Sequence, residues 1–221
     1  MKLPYILLLG SLTIPALSGC VIHINGDDSA RHTGSMSSVF GSFDISEGRQ
    51  VRNISTVNGG VELADNVTAE DVETVNGGIE IGHNVAIRNA EVVNGDIEAG
   101  NNLTVEKDVE TVNGDVTLGA HALIKDTVGT VNGDISLRQA SVGGNVETVN
   151  GNIDLREHTV ITGNIVYAES RSDWDWGTSI PTLRIDDTSQ VHGQIILHRD
   201  VKLLLSNPEL ENKVIRQYPG A

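Results

Sequence analysis

The stretch ETVNGDV, Glu110–Val116, decides the fold, because its core recurs as TVNGG at 56–60, TVNGG at 74–78, VVNGD at 92–96, TVNGD at 111–115, TVNGD at 130–134 and TVNGN at 148–152. Asn-Gly is the strongest short signal for a two-residue hairpin, so the first question is whether these are hairpin tips. Hairpin pairing sets Val57 against Gly60, Val112 against Asp115 and Val131 against Asp134, which scrambles the apolar face. It also places Glu73 opposite Glu80 and Glu91 opposite Glu98, like charges directly across a ladder. The hairpin fails on its own pairing rules.

The asparagines sit at Asn58, Asn76, Asn94, Asn113, Asn132 and Asn150, with spacings of 18, 18, 19, 19 and 18 residues. So strict a period is the mark of a repeat architecture. Between the asparagines the apolar residues fall in short period-2 sets, such as Val57, Val61 and Leu63, then Val67, Val72 and Val75. The expected fold is all-β: a single-stranded, parallel, right-handed β-helix of 18–19 residues per coil with terminal caps. Val57 and Val61 are expected to point inward on either side of a corner. The six asparagines are expected to stack about 4.8 Å apart as a hydrogen-bonded corner ladder, with the following glycine supplying the tight backbone. Phe40 and Phe43 are expected to plug the N-terminal mouth, and Asn207 with Pro208 to start a short C-terminal capping helix.

The remaining composition agrees with a narrow aliphatic interior. Only 3% of residues are aromatic, and none lies between Asp44 and Val166. The chain carries 15 basic and 30 acidic residues, a net charge of −15, which argues against nucleic acid and against docking on anionic lipid by charge.

At the N-terminus, MKLPYILLLGSLTIPALSGC has a charged start, a short apolar run and small residues ending at Cys20. This reads as a signal peptide over 1–19, and Leu17-Ser18-Gly19-Cys20 resembles the bacterial lipobox. That resemblance implies cleavage before Cys20 and acylation of this cysteine, the only one in the chain. Val21 rather than Asp follows it, which by the same resemblance favours outer-membrane attachment. Residues 20–38 then read as the lipidated cysteine and a polar, Gly/Ser-rich tether, 39–205 as the β-helix and 206–221 as cap and tail.

The VETVNGDV style of repeat in a secreted lipoprotein resembles bacterial adhesin-type β-helical domains of unknown function, over residues 38–205. It is similar, secondly, to bactofilin-like polymer-forming β-helices, which resemble cytosolic scaffolds. Neither family brings a catalytic motif.

Few residues suggest chemistry. Between Asn53 and Asp154 there are 17 acidic and 4 basic residues, and Glu62, Glu80 and Glu98 share one phase. This reads as a solubilising acidic face; no metal site and no cofactor are expected. His83, His121 and His158 read as exposed residues of one corner. The one break in rhythm is ESRSDWDWGTSIP, 169–181, holding Trp174 and Trp176 with Asp173 and Asp175 beside them. These four residues are the candidate ligand-binding set, since flat rings stack on sugars while carboxylates accept hydroxyl protons; the competing reading buries both rings over the aliphatic core. The expected function is therefore a non-enzymatic, lipid-anchored envelope rod, adhesin-like or a scaffold or spacer, contacting the bilayer through acylated Cys20 and envelope glycan or protein. The alternatives are a polysaccharide-active or polysaccharide-binding protein using 169–181, and a self-polymerising scaffold.

Overall fold

Parallel pairing between successive coils organises the whole chain. In this computed structural model, which describes Ile22–Ile24 and residues 34–169 and 180–218, all strand pairs are parallel and lie one coil apart. Asn58 pairs with Asn76, Asn76 with Asn94, Asn94 with Asn113, and Asn113 with Asn132. The result is a parallel β-solenoid whose sides are sheets of ten, ten and six strands.

One coil shows how the sequence builds this. Ile54–Asn58 runs along face I, the chain turns at Gly59-Gly60, and Val61–Leu63 runs along face II. A second turn carries a residue of positive φ, Asn66 at 60°. Thr68 then bridges to Gln50 and Ala86 on the short face III, and a third turn leads into Asp71–Asn76 on face I again. Inside, the three faces send Ile54, Val61, Leu63, Val67 and Val72 into one continuous aliphatic column, each at most 2% exposed. Each such residue contributes about 1.5–3 kcal/mol on burial. Branched aliphatics suit this space because β-branched side chains pack well on a pleated surface.

The sequence reading put the valine of TVNG inside, and here the structure differs. Val57, Val75, Val112, Val131 and Val149 lie half-buried on the outer surface of face I, and Val93 is 38% exposed. The inward residue is the preceding threonine: Thr56, Thr74, Thr111, Thr130 and Thr148 are at most 3% exposed. The cause is alternation within the strand, since Ile54 and Thr56 share a face and Val57 takes the other. The corner then resets the phase so that Val61 points inward again.

At the N-terminal end Phe43 is buried at 1% exposure and fills the mouth, whereas Phe40 pairs with Asn58 at the corner and is 61% exposed. The stretch read as a tether is partly strand: Ile22–Ile24 pairs with Phe43–Ile45, and Met36–Phe40 pairs with Ile54–Asn58. At the other end a 3-10 helix, Pro208–Lys213, crosses the opening, with the Asn207 side chain accepting from the Glu209 N–H and Leu210 buried beneath it. Its Lys213 Nζ donates to the carbonyls of Val191 and His192, at 2.5 and 3.1 Å. Those carbonyls belong to the last coil of face III, which would otherwise present acceptors to a stray strand.

Candidate functional site: corner ladders and acidic faces

Side chains tie every corner to the next coil. At the first corner the asparagine amides form one directional chain. Asn58 Nδ2 donates to the Val39 carbonyl at 3.2 Å, and Asn76, Asn94, Asn113, Asn132 and Asn150 each donate to the Oδ1 of the asparagine before, at 2.8–3.0 Å. Every amide dipole points the same way, so the row ends on a free oxygen at Asn150. Arg199 meets it there: its Nη1 donates to Asn150 Oδ1 and, at 2.8 Å, to the Val149 carbonyl.

The inward threonines complete this corner. Thr56, Thr74, Thr111 and Thr130 donate through Oγ1 to the carbonyls of Gly41, Gly59, Gly95 and Gly114, at 2.9–3.0 Å. Each is thus a buried hydroxyl with its bond made. Gly59 must be glycine here, since a Cβ would stand 2.2 Å from the Gly41 carbonyl oxygen. Just past the glycine, Asp96, Asp115 and Asp134 accept the backbone N–H of Asp115, Asp134 and Asn152 at 2.7–2.8 Å. Those bonds to the charged form offset the repulsion of stacked carboxylates, about 0.9 kcal/mol per neighbour in bulk water.

The other two corners repeat the device with less regular residues. At the second, Asp65, His83 and Asn101 accept the next coil's N–H of His83, Asn101 and Ala120, at 2.7–2.9 Å. The following position is left-handed in Asn66, Asn84, Asn102 and His121, with φ of 56–62°. Asparagine suits this because its short polar side chain tolerates positive φ better than most residues. His83, His121 and His158 all lie exposed at this corner. At the third corner Asp108, Asn145 and Asn164 accept from Thr127, Asn164 and Gln194 at 2.8–2.9 Å.

Between corners, acids line up in columns. On face II, Glu62, Glu80 and Glu98 are direct neighbours and exposed. With Glu47, Asp65 and Gly100 they line an acidic trough of about 620 Å³. On face I, Glu73, Glu91 and Glu110 stack, Gly129 opens a gap, and Glu147 follows. These carboxylates are half-buried, and burial pushes all of Glu73, Glu91 and Glu110 up. Glu110 reaches about 7, through burial first and then repulsion from Asp108, Glu91, Glu147 and Asp126. Glu91 and Glu147 each accept from an asparagine amide two residues upstream, Asn89 and Asn145. Asp108 stands at that place for Glu110 and cannot donate. Asp71 is relieved differently, by the Arg88 guanidinium at 2.7 Å.

Cys20 and the set Trp174, Trp176, Asp173 and Asp175 lie outside the described residues. Where the segment bearing the tryptophans leaves and returns, Tyr167 is buried and its hydroxyl donates to the Thr182 carbonyl at 3.2 Å. Arg199 and the second and third corner ladders were missed by sequence reasoning. An Asp, His or Asn before each of the left-handed Asn66, Asn84 and Asn102 was the available signal at the second corner; Arg199 carried none. Among the described residues no three of His, Cys, Asp and Glu come together as a metal-holding group, and no helix is long and apolar enough to cross a membrane.

The class of protein is thus set by its architecture: a parallel β-solenoid with three tied corners and acidic outer faces. No family model, no curated protein and no solved structure matches the chain.

Proposed function

We propose that this chain is a lipid-anchored, non-enzymatic envelope rod, a spacer or adhesin-like scaffold held to the bilayer by acylated Cys20. The observation that carries this is the regularity of the solenoid. From Asn53 to Asp154 successive coils stack with no insertion, and side chains on the corners bond mainly to the neighbouring coil. Such a surface is a structural element: its polar groups are consumed in holding coils together, and its acidic columns repel copies of themselves. The leader ending in LSGC supplies the anchor, and the outer membrane is the address it favours. Specific contacts with glycan or protein would then fall where the repeat breaks, at 169–181.

Metabolic labelling with a clickable palmitate tests the anchor. The wild type takes up label and fractionates with membranes, and Cys20→Ala does neither. Equal labelling of the two would overturn the anchored reading.

A further inference from the structure

The six Asn-Gly corners are also six chances for the same spontaneous reaction. In an Asn-Gly dipeptide the glycine amide nitrogen attacks the asparagine Cγ, expelling Nδ2 as ammonia and closing a succinimide. Water then opens the ring to aspartate or isoaspartate. Glycine favours this because no Cβ hinders the approach. The only co-reactant is water.

The solenoid blocks the attack at four corners by engaging the nucleophile. The N–H of Gly59, Gly77, Gly95 and Gly114 donates to the carbonyl of Asn76, Asn94, Asn113 and Asn132 in the next coil, at 2.9–3.0 Å. That bond must open before the nitrogen can turn towards Cγ. Both side-chain atoms of the inner asparagines are held by the coils before and after, and those of Asn150 by Asn132 and Arg199, so the corners differ in the glycine N–H and not in the hold on the amide.

Asn150-Gly151 is different on several independent counts. In the next coil Tyr167 pairs with Thr148, and the sequence has no further Asn-Gly after Gly151, so no Asn-Gly corner follows it. Among the described residues the Gly151 N–H has no acceptor, which is also true of Gly133, so this feature separates both from the four corners above and the following ones separate Asn150 from Asn132. The strand ends early, at Thr148, and Asn150 keeps only an isolated bridge to Asn132. The Thr148 hydroxyl, unlike those of Thr111 and Thr130, makes no bond to a corner glycine and has no partner among the described residues. Finally, the Arg199 guanidinium sits on Asn150 Oδ1, where negative charge develops as Cγ becomes tetrahedral. We infer that Asn150 is a site of spontaneous succinimide formation and deamidation in the folded protein, and that Asn76, Asn94 and Asn113 are protected from it.

The product matters to the rod because Asn150 joins the ladder to Arg199. Loss of Nδ2 removes the donor to Asn132 Oδ1 and places a carboxylate against that oxygen. An isoaspartyl link would also lengthen the backbone at this corner. The ladder would then be cut at its C-terminal end while the inner coils stay intact.

The test is peptide mapping by mass spectrometry after incubating the folded protein at pH 8.5. Cleavage after Arg138 and Arg156 isolates 139–156, and isoaspartate or aspartate should accumulate at Asn150 at least about tenfold faster than at Asn76, Asn94 or Asn113, since attack there requires an inter-coil bond to open. The same incubation in denaturant should bring the four rates together. Asn150→Gln should remove the signal from 139–156, excluding Asn145 and Asn152 as its source. Gly151→Ala is unsuitable, because its Cβ would stand 1.7 Å from the Gly133 carbonyl oxygen. Equal rates at all four corners of the folded protein, or modification first at Asn94 or Asn113, would overturn the assignment.

Discussion

Glu110→Gln should stabilise the rod at alkaline pH and do little at pH 5. In the fold Glu110 is pushed from 4.5 to about 7 by burial and by Asp108, Glu91, Glu147 and Asp126 around it. A carboxyl whose folded value is raised binds its proton more tightly folded than unfolded. It therefore destabilises the fold above about pH 7, and that penalty is relieved as pH falls from about 7 to about 4.5. Taken at face value the interval corresponds to about 3 kcal/mol. The side chain is only half-buried and the column is open to water and salt, so about 1–2 kcal/mol is the realistic size. Glutamine keeps the shape and removes the charge. At pH 8 the variant should melt about 2–8 °C above wild type, using about 2–4 °C per kcal/mol for a chain of this size. At pH 5 about a quarter of the difference should remain, and at pH 4 the two should nearly coincide. Calorimetry across pH 5–8 decides it, and a variant melting at or below wild type at pH 8 would refute the reasoning about burial and repulsion.

Asp108→Asn should partly reproduce that effect, because the amide could reach Glu110 as Asn89 and Asn145 reach Glu91 and Glu147, while its Oδ1 still accepts from Thr127; titration of Glu110 by NMR should move downward. Asn113→Ala removes two ladder bonds at an exposed corner and should cost about 1–2 kcal/mol in chemical denaturation; an unchanged midpoint would remove the ladder from the stability account. In the third repeat Val92 occupies the inward threonine place, so Val92→Thr should gain about 0.5–1 kcal/mol by donating to Gly77, whereas Thr111→Val should lose a similar amount. Arg199→Met should lower hydrogen-exchange protection around Val149–Asn150 and leave Ile54–Asn94 unchanged.

What the sequence made legible follows from translation symmetry. Asn58 through Asn150 recur because neighbouring coils differ by a shift along one axis, so a single residue type can bond to itself indefinitely. The first corner was visible for that reason. The second and third corners use Asp65, His83 and Asn101, or Asp108, Asn145 and Asn164, which share only the ability to accept an N–H. That requirement is met by several residue types, so no identity survives to be counted. The inward residue was misplaced because threonine is read as polar, and only the corner geometry shows that its hydroxyl has the Gly59 or Gly95 carbonyl to bond to. The raised Glu110 depends on contacts between residues 91, 108, 110 and 147, three coils brought together by the fold.

The claim that the chain is a rigid spacer of fixed rise per coil is open to one direct measurement. Val57, Val75, Val93, Val112, Val131 and Val149 lie on one outer column of face I. Spin labels on pairs from this column, in a Cys20→Ser background, should give narrow pulsed electron-resonance distances: about 24 Å between positions 57 and 149, at about 4.8 Å for each of the five steps. Moving the first label to position 75 should shorten the distance by about 5 Å, and each further step should do the same. Broad distributions, or distances that fail to fall by one constant step per coil, would contradict the rod.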